Sequence, residues 1–292
     1  MCGGLRTGEG SSSIVTGMRI VDQRGPGGDD ALRTLRFRVR ARRNMGPLVW
    51  GQAISLLGDY VAFFTLPLFV VSLTGRPIDL GITAAMETLP MILFGFAAGV
   101  FLDRRLHLRR TLVGADALRA MAFAVLALAA AGEVATPVTV YIIAFIAGTL
   151  NVVFDSGLQA LMPSVLEEDM LVHANSRLAL ARTLAATFGP AIGGIAVVLV
   201  GFAVAFSLNA LTFLISGVFL LLLRPVHARQ PVGQKHFGRS LNDGLRVLFR
   251  EPRLRWATLG GTVTNLVFAP HEAILVLFVA EHIEVPDWGI FT

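Results

Sequence analysis

An all-α membrane protein is the fold class that this sequence predicts, and three observations carry the prediction. Hydrophobic residues make up 54% of the 292 and charged residues 15%, with a mean hydropathy of +0.67, which leaves too little polar surface for a soluble domain of this length. The apolar residues gather in runs of about twenty, the length of helix that crosses the ~30 Å hydrocarbon core of a bilayer. These runs are continuous rather than alternating, which argues against β-barrel strands.

Taken in order, the runs give seven expected spans, at residues 47–73, 78–102, 111–131, 137–162, 175–200, 201–223 and 257–281. The uncharged run from Leu184 to Leu223 is about twice the length of one crossing, so it must fold back, and Gly201 is the expected turn. Residues 1–45 contain no apolar core of the signal-peptide kind, so the first helix is expected to serve as the signal. Cys2 is the single cysteine, which excludes an intrachain disulfide and a cysteine-rich metal site. The expected organisation is a disordered basic cytoplasmic tail (1–45), a six-helix transmembrane bundle (46–224), a charged cytoplasmic linker (225–256), and a seventh helix that opens whatever follows (257–292). Met18 is an alternative start.

Arginine placement sets the orientation. The tail from Met1 to Gly46 carries nine arginines, the loop "DRRLHLRR" four, and the stretch from Arg224 to Arg255 seven with Lys235. All of these fall on one side if the spans alternate, with Arg76 alone on the other, so the positive-inside rule puts the N-terminus in the cytoplasm. A nucleic-acid reading of "RTLRFRVRARR" is weaker than contact between juxtamembrane arginines and anionic lipid, and no nucleic-acid partner is expected.

Ionisable residues within spans carry the functional signal, because each costs about 2.5 to 3.5 kcal/mol at a helix centre unless it is paired or solvated. Asp59 lies ~18 Å along the first helix, Glu87 ~14 Å in from the outer side of the second, and Glu272 past the middle of the seventh. They point to a polar cavity for a small solute and a proton, or else to hydrogen bonds with a neighbouring helix. Trp50, Phe63, Phe64 and Phe94 are candidate aromatic contacts or lipid-facing side chains. A second set is expected near the cytoplasmic face. Asp116 and Arg119 share a face of the third helix, and Asp155, ~27 Å down the fourth, reaches the same level. With Asp103, Arg104, Arg105, Arg109 and Arg110 they form a candidate charge latch at the mouth of the bundle, the alternative being charges that only determine topology. Small-residue pairs, Gly95 with Gly99 and Gly189 with Gly193, mark the second and fifth helices for close packing, at matching places in two three-helix repeats.

These residues resemble those of the major facilitator superfamily. "GVFLDRRLHLRR", Gly99 to Arg110, is similar to its signature between the second and third helices, and "TFGPAIGG", with Gly189, Pro190, Gly193 and Gly194, to the fifth-helix motif of its antiporters. "GQAISLLGDYVAFFTLPLFVVSLTG", "GADALRA", "NVVFDSGLQALMPSVL" and "HANSRLALARTLAATFGP" resemble the drug:proton antiporter branch that includes macrolide, multidrug and siderophore exporters. The resemblance implies the N-terminal six-helix bundle of a two-bundle transporter, plus at least one helix of the C-terminal bundle, rocking around a central cavity. It also implies that Asp103 and the basic residues after it hold the inner face closed, with Asp155 as partner. Leu106 stands where the family has a glycine in the loop, the final arginine pair comes one residue late, and Ala185 replaces a motif glycine.

The chain ends at Thr292, where the resembling fold would begin its eighth helix; in that fold the second and fifth helices pack against the C-terminal bundle, so their glycine faces are expected to have little to meet here. The expectation is therefore a proton-coupled efflux transporter in truncated form, needing its C-terminal half in cis or in trans and not transporting alone. The alternatives are a non-transporting remnant or partnered half-transporter subunit and, further off, a seven-helix receptor. The arginine distribution disfavours the receptor, as does the absence of a lysine in the last helix. Phosphate-binding loops, metal-ligand spacing and nucleophile–base arrangements are missing from the sequence, so no enzyme, cofactor or metal site is expected.

Overall fold

The apolar runs fold as long helices whose ends are set by local chemistry. A computed structural model of the protein describes residues 26–103, 107–224, 250–261 and 263–264. The chain divides into two units, residues 1–37 and 38–292, and the bundle belongs to the second. The helices are α1 (Pro26–Thr74), α2 (Ile78–Asp103), α3 (Leu108–Ala131), α4 (Pro137–Val165) and α5 (Glu168–Leu222). α1 stops at Gly75, whose φ of 65° is in the left-handed region and whose N–H donates to the Val71 carbonyl at 2.7 Å. α4 starts where Thr136 Oγ1 accepts from the Thr139 N–H at 3.3 Å, with Pro137 in the first turn.

Helical backbone begins at Pro26, well inside the tail expected to be disordered over 1–45. Beyond α5, residues 225–249 of the expected linker lie outside the described residues, as does the expected seventh helix from 265 onward. Helix is present over 252–261, ahead of the expected start at 257.

At 1.5 Å per residue the 55 residues of α5 would reach ~82 Å, more than two crossings. Gly201 breaks it, with φ 78° and ψ 169°, a conformation that is essentially glycine's alone. The two arms, residues 168–200 and 202–222, both lie against α1. In the first arm Gly189 meets Tyr60 and Gly193 meets Val61 and Thr65, so this arm runs parallel to α1. In the second arm Phe219 packs on Gly51, Asn209 and Thr212 on Gly58, and Phe202 and Phe206 on Phe69, so this arm runs antiparallel. The bundle therefore has six crossings, with the turn at the expected residue. Gly201→Ala should cost about 1 to 3 kcal/mol, because the new side chain cannot adopt this backbone without strain. Thermal unfolding of the purified chain in detergent checks this.

α2 packs against α4, and α3 against both α4 and α5. Two apolar layers hold the bundle together. One joins Leu48, Leu102, Leu112, Phe154, Leu161 and Leu220 at the end where α3 begins. The other joins Leu66, Phe69, Phe123, Leu126, Val140 and Phe206 at the opposite end. The helix segments between them carry the buried polar residues Gln52, Ser55, Asp116, Arg119, Asn209 and Ser216. A polar layer thus lies between two greasy ones, midway along the crossings.

Asn44 ties α1 to the ends of α4 and α5. Its buried amide donates to the carbonyls of Val165 (2.9 Å) and Arg224 (2.8 Å), and its oxygen accepts from the Arg224 N–H (3.0 Å).

Not every face is covered. Met91, Ile92, Leu93 and Phe94 of α2 are exposed, and nothing lies within 4 Å of where side chains at Gly95 and Gly99 would sit. The sequence reading expects the glycines of both the second and the fifth helix to have little to meet. That expectation is corrected for the fifth: the Gly189–Gly193 stripe is taken up by α1, because a small-residue face lets two backbones approach closely.

Candidate functional site

The polar layer is built by helical periodicity. Gln52, Ser55 and Asp59 recur three and four residues apart and so share one face of α1, Asp116 and Arg119 share a face of α3, and Asn209 and Ser216 lie two turns apart on the second arm of α5. α4 contributes Asn151 and Phe154. Gln52 Nε2 donates to Ser216 Oγ at 3.4 Å, which links α1 to α5 across the layer.

Arg119 is the hub. Its side chain is 1% exposed, and its Nη2 donates to Asp116. Nη1 reaches the two Asp59 oxygens at 3.4 and 3.5 Å and Asn151 Oδ1 at 3.4 Å. The guanidinium lies 4.3 Å from the Phe154 ring centroid and 4.4 Å from that of Phe213. Two carboxylates, the Asn151 amide and two ring faces replace most of the water that this cation gives up, and such pairing is the condition on which a buried charge is tolerated; Arg119 Nε and Asp116 Oδ2 are left without a hydrogen-bond partner among the described residues.

The two carboxylates are not equivalent. Asp116 is 1% exposed, whereas the Asp59 side chain is 23% exposed. The Asp59 carboxylate is therefore partly open, while Asp116 sits behind Arg119. Glu87 is half-buried on α2 and electrostatically coupled to Asp59, and among the described residues its Oε2 has no protein hydrogen-bond partner.

The sequence reading separates a mid-membrane carboxylate set from a latch at the mouth. The structure merges part of the two: Asp116 and Arg119 reach the level of Asp59 because α3 starts at Leu108, which puts Arg119 ~16 Å along the helix. The remaining latch residues go elsewhere. Arg109 donates to the carbonyls of Leu223 (2.6 Å) and Leu221 (3.5 Å), capping the end of α5, where unpaired carbonyls favour a cation. Arg110 is exposed, and Gly99 lies on an open face. Asp155 pairs with Arg182 of α5 at 3.5 Å, both side chains about half exposed. Asp103 closes α2, but its side chain lies outside the described residues, as do Arg104, Arg105 and Glu272. Of the antiporter-motif residues, Gly189 and Gly193 contact α1, Gly194 faces Phe64, and Pro190 lies inside the first arm of α5. Phe94 meets Phe145 edge-to-face with centroids 6.3 Å apart, while Trp50 is exposed.

The sequence reading missed Asn151, Arg182, Phe154, Phe213 and the Gln52–Ser216 link. The polar ones carried the same signal as Asp59, a polar residue inside an apolar span. The two phenylalanines did not stand out, since nothing in the sequence distinguishes a ring that holds a guanidinium from one that fills a core.

The sequence pattern of the Major Facilitator Superfamily matches residues 48–291, most of the chain. The chain belongs to the Major Facilitator Superfamily. This accounts for the six-crossing bundle and makes it a multi-pass membrane protein. Among curated relatives in the superfamily, macrolide efflux protein A of Streptococcus pyogenes is 24% identical over 241 residues, covering 78% of this chain and 57% of the relative. Multidrug efflux pump Tap of Mycolicibacterium fortuitum is 27% identical over 227 residues (75% and 55%), and Tap of Mycobacterium tuberculosis 26% over 247 residues (80% and 58%). The chain therefore spans little more than half the length of the curated relatives it matches. No solved structure matches significantly.

Proposed function

We propose that this chain supplies the N-terminal bundle, and the opening of the second bundle, of a proton-coupled exporter of small amphiphilic compounds. The exporter works by alternating access in the cell membrane with its N-terminus in the cytoplasm. The single observation that carries the reading is the asymmetry of the polar layer: Asp59 is paired on one side with a buried cation and open on the other. A carboxylate so placed can take a proton when the path opens outward and lose it toward the cytoplasm, and a solute that competes for it is moved in exchange. The relatives named for macrolide and multidrug efflux support the same reading. The rest of the second bundle comes in cis or in trans, and the open faces of α2 and of the first arm of α5 are where it would dock. Glu87 and Glu272 are further candidate proton carriers, and Asp103, Arg104 and Asp155 remain candidates for the inner latch.

The test is Asp59→Asn in the two-bundle transporter, reconstituted in vesicles with an imposed pH gradient. Export driven by the gradient should be lost while insertion and helical content are kept. Unchanged coupling would remove Asp59 from the proton path.

A further inference from the structure

We infer that Asp116, which no solute can touch, sets the charge selectivity of the site by compensating Arg119, so that the Asp59 carboxylate is left uncancelled toward the open face and favours cationic over neutral or anionic amphiphiles. The inference rests on the transport reading above and adds to it the substrate class and the residue that decides it.

Fixed groups set the charge that a solute meets. Arg119 is held by Asp116, by the Phe154 and Phe213 rings and by Asn151, so it stays in place whatever the state of Asp59, whose own contacts with it are the long ones at 3.4 and 3.5 Å. Without Asp116 the Arg119 cation would cancel the Asp59 carboxylate, and the site would be neutral toward a solute. With Asp116 ionised behind it, Asp116, Arg119 and Asp59 sum to minus one. A proton on Asp59 brings that sum to zero. Hence a monocation and a proton are alternatives at the same place, as exchange requires.

Other charges face Asp59 and leave the comparison intact. From α4 and α5, Asp155 and Arg182 both act on it electrostatically, Asp155 more strongly than either Arg182 or Asp116; they pair with each other at 3.5 Å, and both are the same in every variant below. From α2, Glu87 adds a further acid, which is the same in every variant below.

The experiment uses the purified 292-residue chain in nanodiscs of zwitterionic lipid and equilibrium dialysis of radiolabelled tetraphenylphosphonium, a permanent monocation. The wild type should bind it, and less on acidification. Asp116→Asn should weaken binding roughly tenfold, the effect of one charge a few ångström away in a partly buried site. Asp116→Asn with Arg119→Gln removes both charges, returns the count to minus one, and should restore both the binding and its decline with acid. A merely structural role for the pair would not produce that rescue. Equal binding by Asp116→Asn and wild type overturns the inference, and so does a double variant that stays weak. If Asp116→Asn alone fails to insert, the double variant still decides, since it must bind like the wild type. Asp59→Asn separates the two readings: binding indifferent to it overturns the transport site and this inference together, whereas binding lost in Asp59→Asn but kept in Asp116→Asn overturns this inference alone.

Discussion

Arg119→Gln should lower the stability of the bundle by about 3 to 5 kcal/mol, the range found when one partner of a buried ion pair is removed. The cost comes less from the lost attraction than from what is left behind. Asp116 at 1% exposure would keep a charge with no cation beside it, and the Phe154 and Phe213 faces would enclose a neutral amide in place of the guanidinium. Asp116→Asn with Arg119→Gln should recover most of the loss, because two neutral amides can hydrogen-bond where an unpaired carboxylate cannot. Denaturant unfolding of the wild type and these two variants in one detergent gives both numbers. A single variant as stable as the wild type would mean that water reaches Asp116.

Gly148→Val should cost about 3 kcal/mol, at the upper end of overpacking penalties. A side chain at Gly148 would be driven onto the backbone carbonyl of Glu87, with Pro90 Cγ at 3.2 Å. A rotamer change relieves a clash with a side chain, but here the obstacle is main chain, so α2 has to move away from α4 as a body. The expected signature is a lower thermal midpoint together with lost cross-linking between cysteines placed on the facing sides of α2 and α4. An unchanged midpoint would contradict the close approach.

The architecture was legible because lipid imposes one simple rule, that apolar runs of sufficient length become helices. The turn at Gly201 followed from length and the absence of charge, and its positive φ is the reason that only glycine serves there. Asp59, Asp116 and Arg119 were each visible as polar residues in apolar spans. Their union was not, because it depends on where α3 begins and on the reach of an arginine side chain, and a shift of three residues moves Asp116 and Arg119 from the mouth to the middle. Arg182 as the partner of Asp155 was equally hidden, since pairing between helices is a matter of rotation about their axes, which hydropathy does not encode. Gly189 and Gly193 were found as a packing face but matched to the wrong surface, because a small-residue stripe announces close approach without naming the helix that approaches.

Asn44 has a consequence for how the bundle is made. Its amide is satisfied by Val165 and by Arg224, which lies 180 positions later in the chain. Val165 is made 121 positions after Asn44, but Arg224 follows only after the sixth crossing, so until then one amide proton and the amide oxygen must stay with water or lipid headgroups. Sealing of this end is therefore completed late in synthesis, only when the sixth crossing has emerged, and a nascent chain stalled before residue 224 would present an unclosed edge to quality-control proteases.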